Sequence, residues 1–280
     1  MNDRLKRARL REILADPAGA IAPGVTDGLF ARLVQDCGYA VAHLSGNAIH
    51  KNFCLPDRNL LAAAQIARRV GQISEAVDIP LIVDGGPIGI APLALSRAVG
   101  LYERAGAAAI RFEDSLRSEA GAPARELAVA PAALVVDRIK AAADARRDPS
   151  LVLIARCDSR PKESPAEVRE RLAAYAEAGA DAVGVQLDEA AGFREIGARA
   201  PAPLVCLWPK TKMSAFEFFR LGVRIALMPS SLPLAAAAAA REMLLDLKRS
   251  GTDRDYFAGQ KEFAATETWY KQLGSGSKRT

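Results

Sequence analysis

Imidazole and thiol groups are scarce: two histidines, His43 and His50, and four cysteines, Cys37, Cys54, Cys157 and Cys206, are scattered through 280 residues. No Glu-x-x-His motif or Cys/His cluster with metal-ligand spacing occurs, which disfavours zinc. Three of the cysteines lie in or beside apolar segments, where thiols behave as small hydrophobes, and the set predicts a reduced, cytosolic protein. No stretch approaches ~20 uninterrupted apolar residues, and the charged residues 1–12 contain no apolar leader core, so neither membrane spanning nor secretion is expected. Gly-x-Ser-x-Gly, P-loop and dinucleotide fingerprints are also absent, which argues against acyl hydrolysis and nucleotide use. The net charge is +5, but basic and acidic residues alternate through stretches such as 167–171 and 241–248. Without interleaved aromatics these read as solvated helix faces rather than a nucleic-acid stripe, and an anionic substrate remains compatible.

What the chain has in abundance is alternation. Apolar runs ending in one polar or charged residue recur at 41–45, 81–84, 108–113, 151–156, 182–186, 204–208 and 223–228, with an earlier one at 21–25. An amphipathic helical stretch follows almost every run. Near-continuous Val/Ile/Leu/Ala strands alternating with helices predict a (β/α)8 TIM-type barrel over residues 1–250, with its site where the strands end. Half of the residues are hydrophobic, many of them alanine, which suits helices packed closely around a barrel. A further helix over 253–272, within a segment 251–273, carries Tyr256, Phe257, Phe263, Trp269 and Tyr270 and predicts docking on another subunit. Residues 274–280 read as a disordered tail.

The polar stops Ser45, Asp84, Glu113, Arg156 and Gln186 should all face one barrel mouth. Asp84 and Glu113, with Asp57 from the loop after the second strand, make an oxygen-donor set of the kind Mg²⁺ or Mn²⁺ takes; each carboxylate could equally be a cap or an ion-pair member. Arg156 could clamp a substrate carboxylate or phosphate, or pair with a neighbouring carboxylate. Ser45-Gly46-Asn47 could hold an anionic oxygen or simply turn the chain. His43, inside an apolar strand, reads as a packed residue, and His50 as the better acid/base candidate. Residues 46–59 read as an irregular loop serving the site, 60–77 as a long helix, 84–89 as a break forced by Gly85, Gly86 and Pro87, and 115–131 as a lid. Asp27 is expected to cap the helix after the first strand. Phe53, Gln186, Trp208 and Lys210 would stand near the pocket wall.

Together His43-Leu44-Ser45-Gly46, Leu55-Pro56-Asp57, Pro80-Leu81-Ile82-Val83-Asp84, the run 102–110 leading to Phe112-Glu113-Asp114, Ile154-Ala155-Arg156-Cys157-Asp158 and the run 177–182 resemble the isocitrate lyase/phosphoenolpyruvate mutase superfamily over residues 5–250. The resemblance implies a Mg²⁺-dependent barrel that binds a 2-oxo acid or its enolate and makes or breaks a C–C or P–C bond. By position, Ser45, Gly46, Asn47 and Arg156 would bind substrate, Asp57, Asp84 and Glu113 would hold the ion, and a C-terminal helix would be exchanged within a tetramer or dimer. Asp57, Arg156 and His50 are the catalytic candidates; Asp84 and Gln186 join the substrate-binding set.

Two departures narrow this expectation. The superfamily's Asp-x-Asp is here Asp84-Gly85-Gly86, and residues 113–131 contain no cysteine, histidine or lysine where isocitrate and methylisocitrate lyases carry Lys-x-Cys-Gly-His. The lid most resembles the oxaloacetate decarboxylase branch. The leading expectation is therefore a lyase or decarboxylase acting on a small 2-oxo or 2-hydroxy dicarboxylate, with phosphonopyruvate-type P–C chemistry and a non-catalytic metabolite-binding barrel as alternatives.

Overall fold

The computed structural model describes residues 1–56, 60–87, 92–116, 128–158, 163–187, 190–208 and 213–273. Its first half runs α1 (Asp3–Ala15), β1 (Ala20–Pro23), α2 (Gly28–Asp36), β2 (Ala42–Leu44), α3 (Gly46–Asn52), α4 (Ala63–Ala76), β3 (Leu81–Pro87), α5 (Pro92–Arg104) and β4 (Ala109–Glu113). A short antiparallel pair, β5 (Ser115–Leu116) and β6 (Ala128–Val129), precedes α6 (Ala132–Ala145), β7 (Val152–Cys157), α7 (Pro165–Glu177), β8 (Ala182–Val185) and α8 (Ala190–Gly197). Then come β9 (Leu204–Leu207), α9 (Ala215–Arg220), β10 (Val223–Met228), α10 (Ser231–Ser250), α11 (Arg254–Ala258) and α12 (Phe263–Gln272).

Eight parallel strands lie in the order β1-β10-β9-β8-β7-β4-β3-β2. The two ends meet where the Val25 amide donates to the His43 carbonyl at 2.9 Å and Gly24 bridges His43, so the expected barrel is present. Strand side chains alternate between two apolar layers. Outward residues such as Leu44, Val83, Ile110, Leu153 and Val183 pack under the helices, whereas Ile82, Ala109, Val152, Ile154, Val205, Ile225 and Leu227 fill the interior. Leu10 and Leu14 of α1 join that interior group, and Arg7 of α1 donates to the carbonyls of Ala107 and Glu103 at 3.0 and 2.7 Å. One end of the barrel is thus plugged by a helix, which leaves the other, where the strands end, as the candidate mouth.

Local signals set several boundaries. Asp27 does cap α2, accepting from the Phe30 amide at 3.0 Å. Ser164 and Ser214 open α7 and α9 with Ser-x-x-Glu capping boxes. Three expectations need correction. Residues 46–52 are not an irregular loop but the helix α3, because Ser45 adopts extended backbone at the N-cap and the Ile49 amide closes the first turn on its carbonyl. The strand β3 does not break at the glycines. It bulges between Asp84 and Gly86 and continues to Pro87 beside Glu113, with Gly86 at φ +82°, in the left-handed region that glycine adopts without strain. The C-terminal helix is two helices, α11 and α12, separated by a segment that begins at the Gly259 C-cap, and this lets Phe257 and Phe263 stack with centroids 4.1 Å apart.

The chain divides into two compact units, one from Met1 to Pro233 and one from Leu234 on. The expected lid falls mostly on 117–127, and that segment, with Asp57, Lys210 and the tail 274–280, lies outside the described residues.

Candidate active site

Among the described strand residues, the interior face turns polar one layer above its apolar base on the side of β2, β3, β4 and β7. Strand register places Asp84 beside Arg111 and Glu113 beside Arg156. Arg111 and Glu113 are two residues apart on β4, so both point inward. Both are buried, as are His43 and Arg156. Gly184 lies beside Arg156 in the register; a side chain there would run into the Val205 carbonyl oxygen.

Asp84 is the hub. Its Oδ1 accepts from Arg111 Nε at 2.7 Å and lies 3.0 Å from His43 Nε2, while Oδ2 accepts from the Gly46 amide at 2.9 Å. Burial alone would raise this carboxyl, but the charges of Arg111 and then His43 outweigh it and hold the group well below the usual carboxylate range. His43 is therefore more than a packed side chain. Sequence reading missed both His43 and Arg111 as site residues. Arg111 had one available signal, a charge in the middle of an otherwise apolar strand.

Arg156 forms a second hub. Its Nε and Nη2 fork onto the two Asp158 oxygens at 2.5 and 2.7 Å, Nη2 also donates to Gln186 Oε1 at 2.8 Å, and Nη1 stands 3.4 Å from Glu113 Oε2. Burial works against its charge, yet Asp158 and then Glu113 more than offset this, so the guanidinium is held firmly protonated. Gln186 and Glu113 thus share one partner, and Asp158 is an addition to the expected set.

The Ser45–Asn47 turn meets the Asp84 hub through the Gly46 amide, and Ser45 is buried. His50 sits on α3 rather than in a loop, its Nδ1 donating to the Gly46 carbonyl at 2.7 Å. Among the described residues here, Arg111 Nη1, His43 Nδ1 and Asn47 Oδ1 are buried without a hydrogen-bond partner.

Behind the mouth, Asp114 anchors the loop after β7. It accepts from the Asp158 amide at 2.8 Å and from the Tyr175 hydroxyl at 2.7 Å, with Arg171 3.7 Å away. Its complete burial dominates these bonds and pushes its carboxyl up to about 6.

The described donors do not fit the divalent-cation site that the resemblance implies. Mg²⁺ requires near-octahedral oxygen coordination at ~2.0–2.1 Å. Asp84 Oδ1 already holds a guanidinium and an imidazole, and Glu113 faces Arg156. Among the described residues no group of three His, Cys, Asp or Glu side chains stands ready to hold a metal.

A closed parallel barrel, plugged at one end and lined at the other by paired carboxylates and guanidiniums, defines the class: an α/β-barrel with the architecture of an enzyme of small anions. The chain belongs to the phosphoenolpyruvate phosphomutase family, whose model matches residues 10–248, within the PEP mutase/isocitrate lyase superfamily. It is 32% identical over 270 residues to a 2-methylisocitrate lyase from Aeropyrum pernix, covering 95% of this chain and 86% of the relative. A 2,3-dimethylmalate lyase from Eubacterium barkeri is 31% identical over 185 residues, 65% of this chain and 63% of that protein. Among solved structures, a phosphonopyruvate hydrolase complexed with oxalate and Mg²⁺ superposes with a TM-score of 0.81 at 26% identity, covering 99% of this chain and all of the other. An oxaloacetate acetylhydrolase bound to its product oxalate gives 0.79 at 26% identity, covering 88% of each chain.

Proposed function

We propose that this protein is a carbon–carbon lyase acting on a small 2-oxo or 2-hydroxy dicarboxylic acid, with bond cleavage leaving an enolate or carboxylate in the barrel mouth. The observation that carries the reading is the pair of buried guanidiniums, Arg111 and Arg156, one inward-facing residue pair apart on the adjacent strands β4 and β7, in a barrel whose other end is plugged. Fixed cationic donors in a water-poor site stabilise the negative charge that develops when such a bond breaks. Relatives named for 2-methylisocitrate and 2,3-dimethylmalate support the 2-hydroxy acid class, and those bound to oxalate support a small ligand with two adjacent carboxyl-type carbons, the shape of a 2-oxo acid's carboxylate end.

In this reading Arg156, oriented by Asp158 and Gln186, binds a substrate carboxylate, with Ser45, Gly46 and Asn47 at the opposite edge. Asp84 and Glu113 hold the two guanidiniums in place, and His50 or Asp57 handles the proton. The oxaloacetate-like branch stays a proposal, because the relatives named above are lyases of bulkier hydroxy acids or hydrolases. The test is a panel of 2-oxo acids, 2-hydroxy dicarboxylates and phosphonopyruvate, each run with Mg²⁺, Mn²⁺ and EDTA and scored for CO₂, pyruvate, glyoxylate and phosphate. Turnover of a hydroxy or oxo dicarboxylate supports the reading. Phosphate release from phosphonopyruvate alone replaces it with P–C chemistry, which the phosphonopyruvate hydrolase structure makes the second reading. Tight binding with no turnover of any compound leaves a metabolite-binding barrel.

Assembly belongs to the same proposal. No residue of α10, α11 or α12 is buried, and Leu234, Leu244, Leu245 and Tyr270 are each more than half exposed. Such apolar surface suits a homodimer or homotetramer, and sedimentation of the full chain and of a chain ending at Ser250 tests it. No described helix is long and apolar enough to cross a membrane, and four free cysteines suit a cytosolic setting.

A further inference from the structure

We infer that Arg111 is the built-in cation of this site: its guanidinium takes the place of a divalent metal on Asp84, and its Nη1 is the contact for an oxygen of the oxo-acid ligand. The ligand part of this inference rests on the proposed function; the metal part does not.

Four observations converge. Arg111 Nε donates to Asp84 Oδ1 at 2.7 Å, the carboxylate on which the resemblance would put the ion. His43 Nε2 shares that Oδ1 and the Gly46 amide donates to Oδ2, so each oxygen already has a donor. The second carboxylate of the superfamily's Asp-x-Asp is absent, replaced by Gly86, which sits in a bulge and offers no oxygen ligand from its side chain. Finally, Arg111 is 5% exposed, and its Nη1 is buried without a partner, although a guanidinium is a fork of five donors that rarely leaves one unsatisfied in a protein interior.

The geometry of the chain explains why the charge cannot move aside. Arg111 projects inward from the middle of β4, flanked in register by Asp84 on β3 and Ile154 on β7. With Ile154 fully buried in the interior apolar layer, Asp84 is the counter-charge beside Arg111 among the described residues of the neighbouring strands. A dication arriving at Asp84 Oδ1 would have to displace this guanidinium into an apolar interior, where an uncompensated charge is strongly disfavoured. A planar guanidinium can do what the ion does for an oxo acid: pin an oxygen and neutralise charge that builds on it. Nη1 lies on the same planar group as the Nε already fixed by Asp84, so it is pre-oriented for that contact. His43 Nδ1, on the ring whose Nε2 meets that carboxylate, and Asn47 Oδ1, next in sequence to the Gly46 amide that binds it, are also buried and unpartnered and would meet the polar atoms of such a ligand.

The experiment uses the full-length protein and two probes. Mn²⁺ binding is followed by electron paramagnetic resonance, and oxalate binding by calorimetry in EDTA and in millimolar Mg²⁺. The wild type should take no Mn²⁺ at millimolar concentration, and its oxalate affinity should change less than twofold between EDTA and Mg²⁺. Arg111→Met should lose oxalate affinity in EDTA by at least tenfold and gain a Mn²⁺ signal, because Asp84 is released. Arg111→Lys, which keeps the charge, should exclude Mn²⁺ as the wild type does. Mn²⁺ bound stoichiometrically by the wild type, or oxalate binding that needs Mg²⁺, overturns the inference. If oxalate binds under neither condition, the oxo-acid reading and the Nη1 contact fail, and the Mn²⁺ measurement alone still decides whether Arg111 excludes the metal. Should Arg111→Met not fold, the wild-type and Arg111→Lys results decide.

Discussion

The two halves of the barrel interior differ sharply. On β2, β3, β4 and β7 the inward positions near the mouth are His43, Asp84, Arg111, Glu113 and Arg156; on β8, β9, β10 and β1 they are Gly184, Val205, Leu207, Ile225, Leu227 and Ala22. Both halves are built on the same apolar base and obey the same inward-outward alternation. The apolar half buries surface and fixes the shape of the barrel. The charged half adds buried ions that folding alone does not need, since replacing a buried ion pair with apolar groups is often neutral or stabilising. Under the proposed function, charges kept at that cost on one rim mark the side on which the ligand is handled.

The largest effect should come from removing the hub. Asp84→Ala leaves Arg111 buried without its counter-charge, which costs roughly 3–5 kcal/mol in a urea melt, and should weaken oxalate binding at least a hundredfold. An affinity within threefold of wild type would show that the charged half is not the ligand side.

Its counterpart in the apolar half is Ile225→Ala. Ile225 is fully buried in the interior layer, and truncation there should cost about 2–5 kcal/mol by leaving a cavity. Oxalate affinity should stay within threefold of wild type. A large affinity loss alongside the stability loss would erase the distinction between the halves.

A third measurement separates ligand handling from scaffolding within the charged half. Asp114 is raised to about 6 in the folded protein by burial, so the native state holds its proton more tightly than the unfolded chain does. Its contribution favours folding below the ordinary carboxylate range and is lost as the pH rises through about 4 to 6, a difference worth about 3 kcal/mol. Asp114→Asn should flatten that part of the stability-against-pH curve; an unchanged slope would assign it to other groups.

The smallest effect tests a carboxylate in the apolar half. Asp27→Ala removes the cap of α2 and should cost about 1 kcal/mol, with turnover unchanged. A turnover loss beyond tenfold would bring Asp27 into the site.

Much of the barrel could be read along the chain because parallel strands buried on both faces are short apolar runs with little ambiguity. The run 223–228 matches β10 residue for residue, and β9, β8 and β7 differ from their runs by a residue or two at the ends. The same local logic identified Asp27 as a cap and turned Asp84, Glu113 and Arg156 toward one mouth, although β3 runs past Asp84 to Pro87 rather than ending there.

Partner choice was decided by tertiary structure. Whether Arg156 was to grip a ligand or a carboxylate depended on Asp158, Gln186 and Glu113 arriving from other positions along the chain. Nothing local could say that Asp84 would meet Arg111, 27 residues further on, and His43, 41 residues before it, because those contacts follow from strand order and register. The chain's periodicity set which residues turn inward, and closure of the barrel set which charges face one another; Coulomb interactions depend on the second.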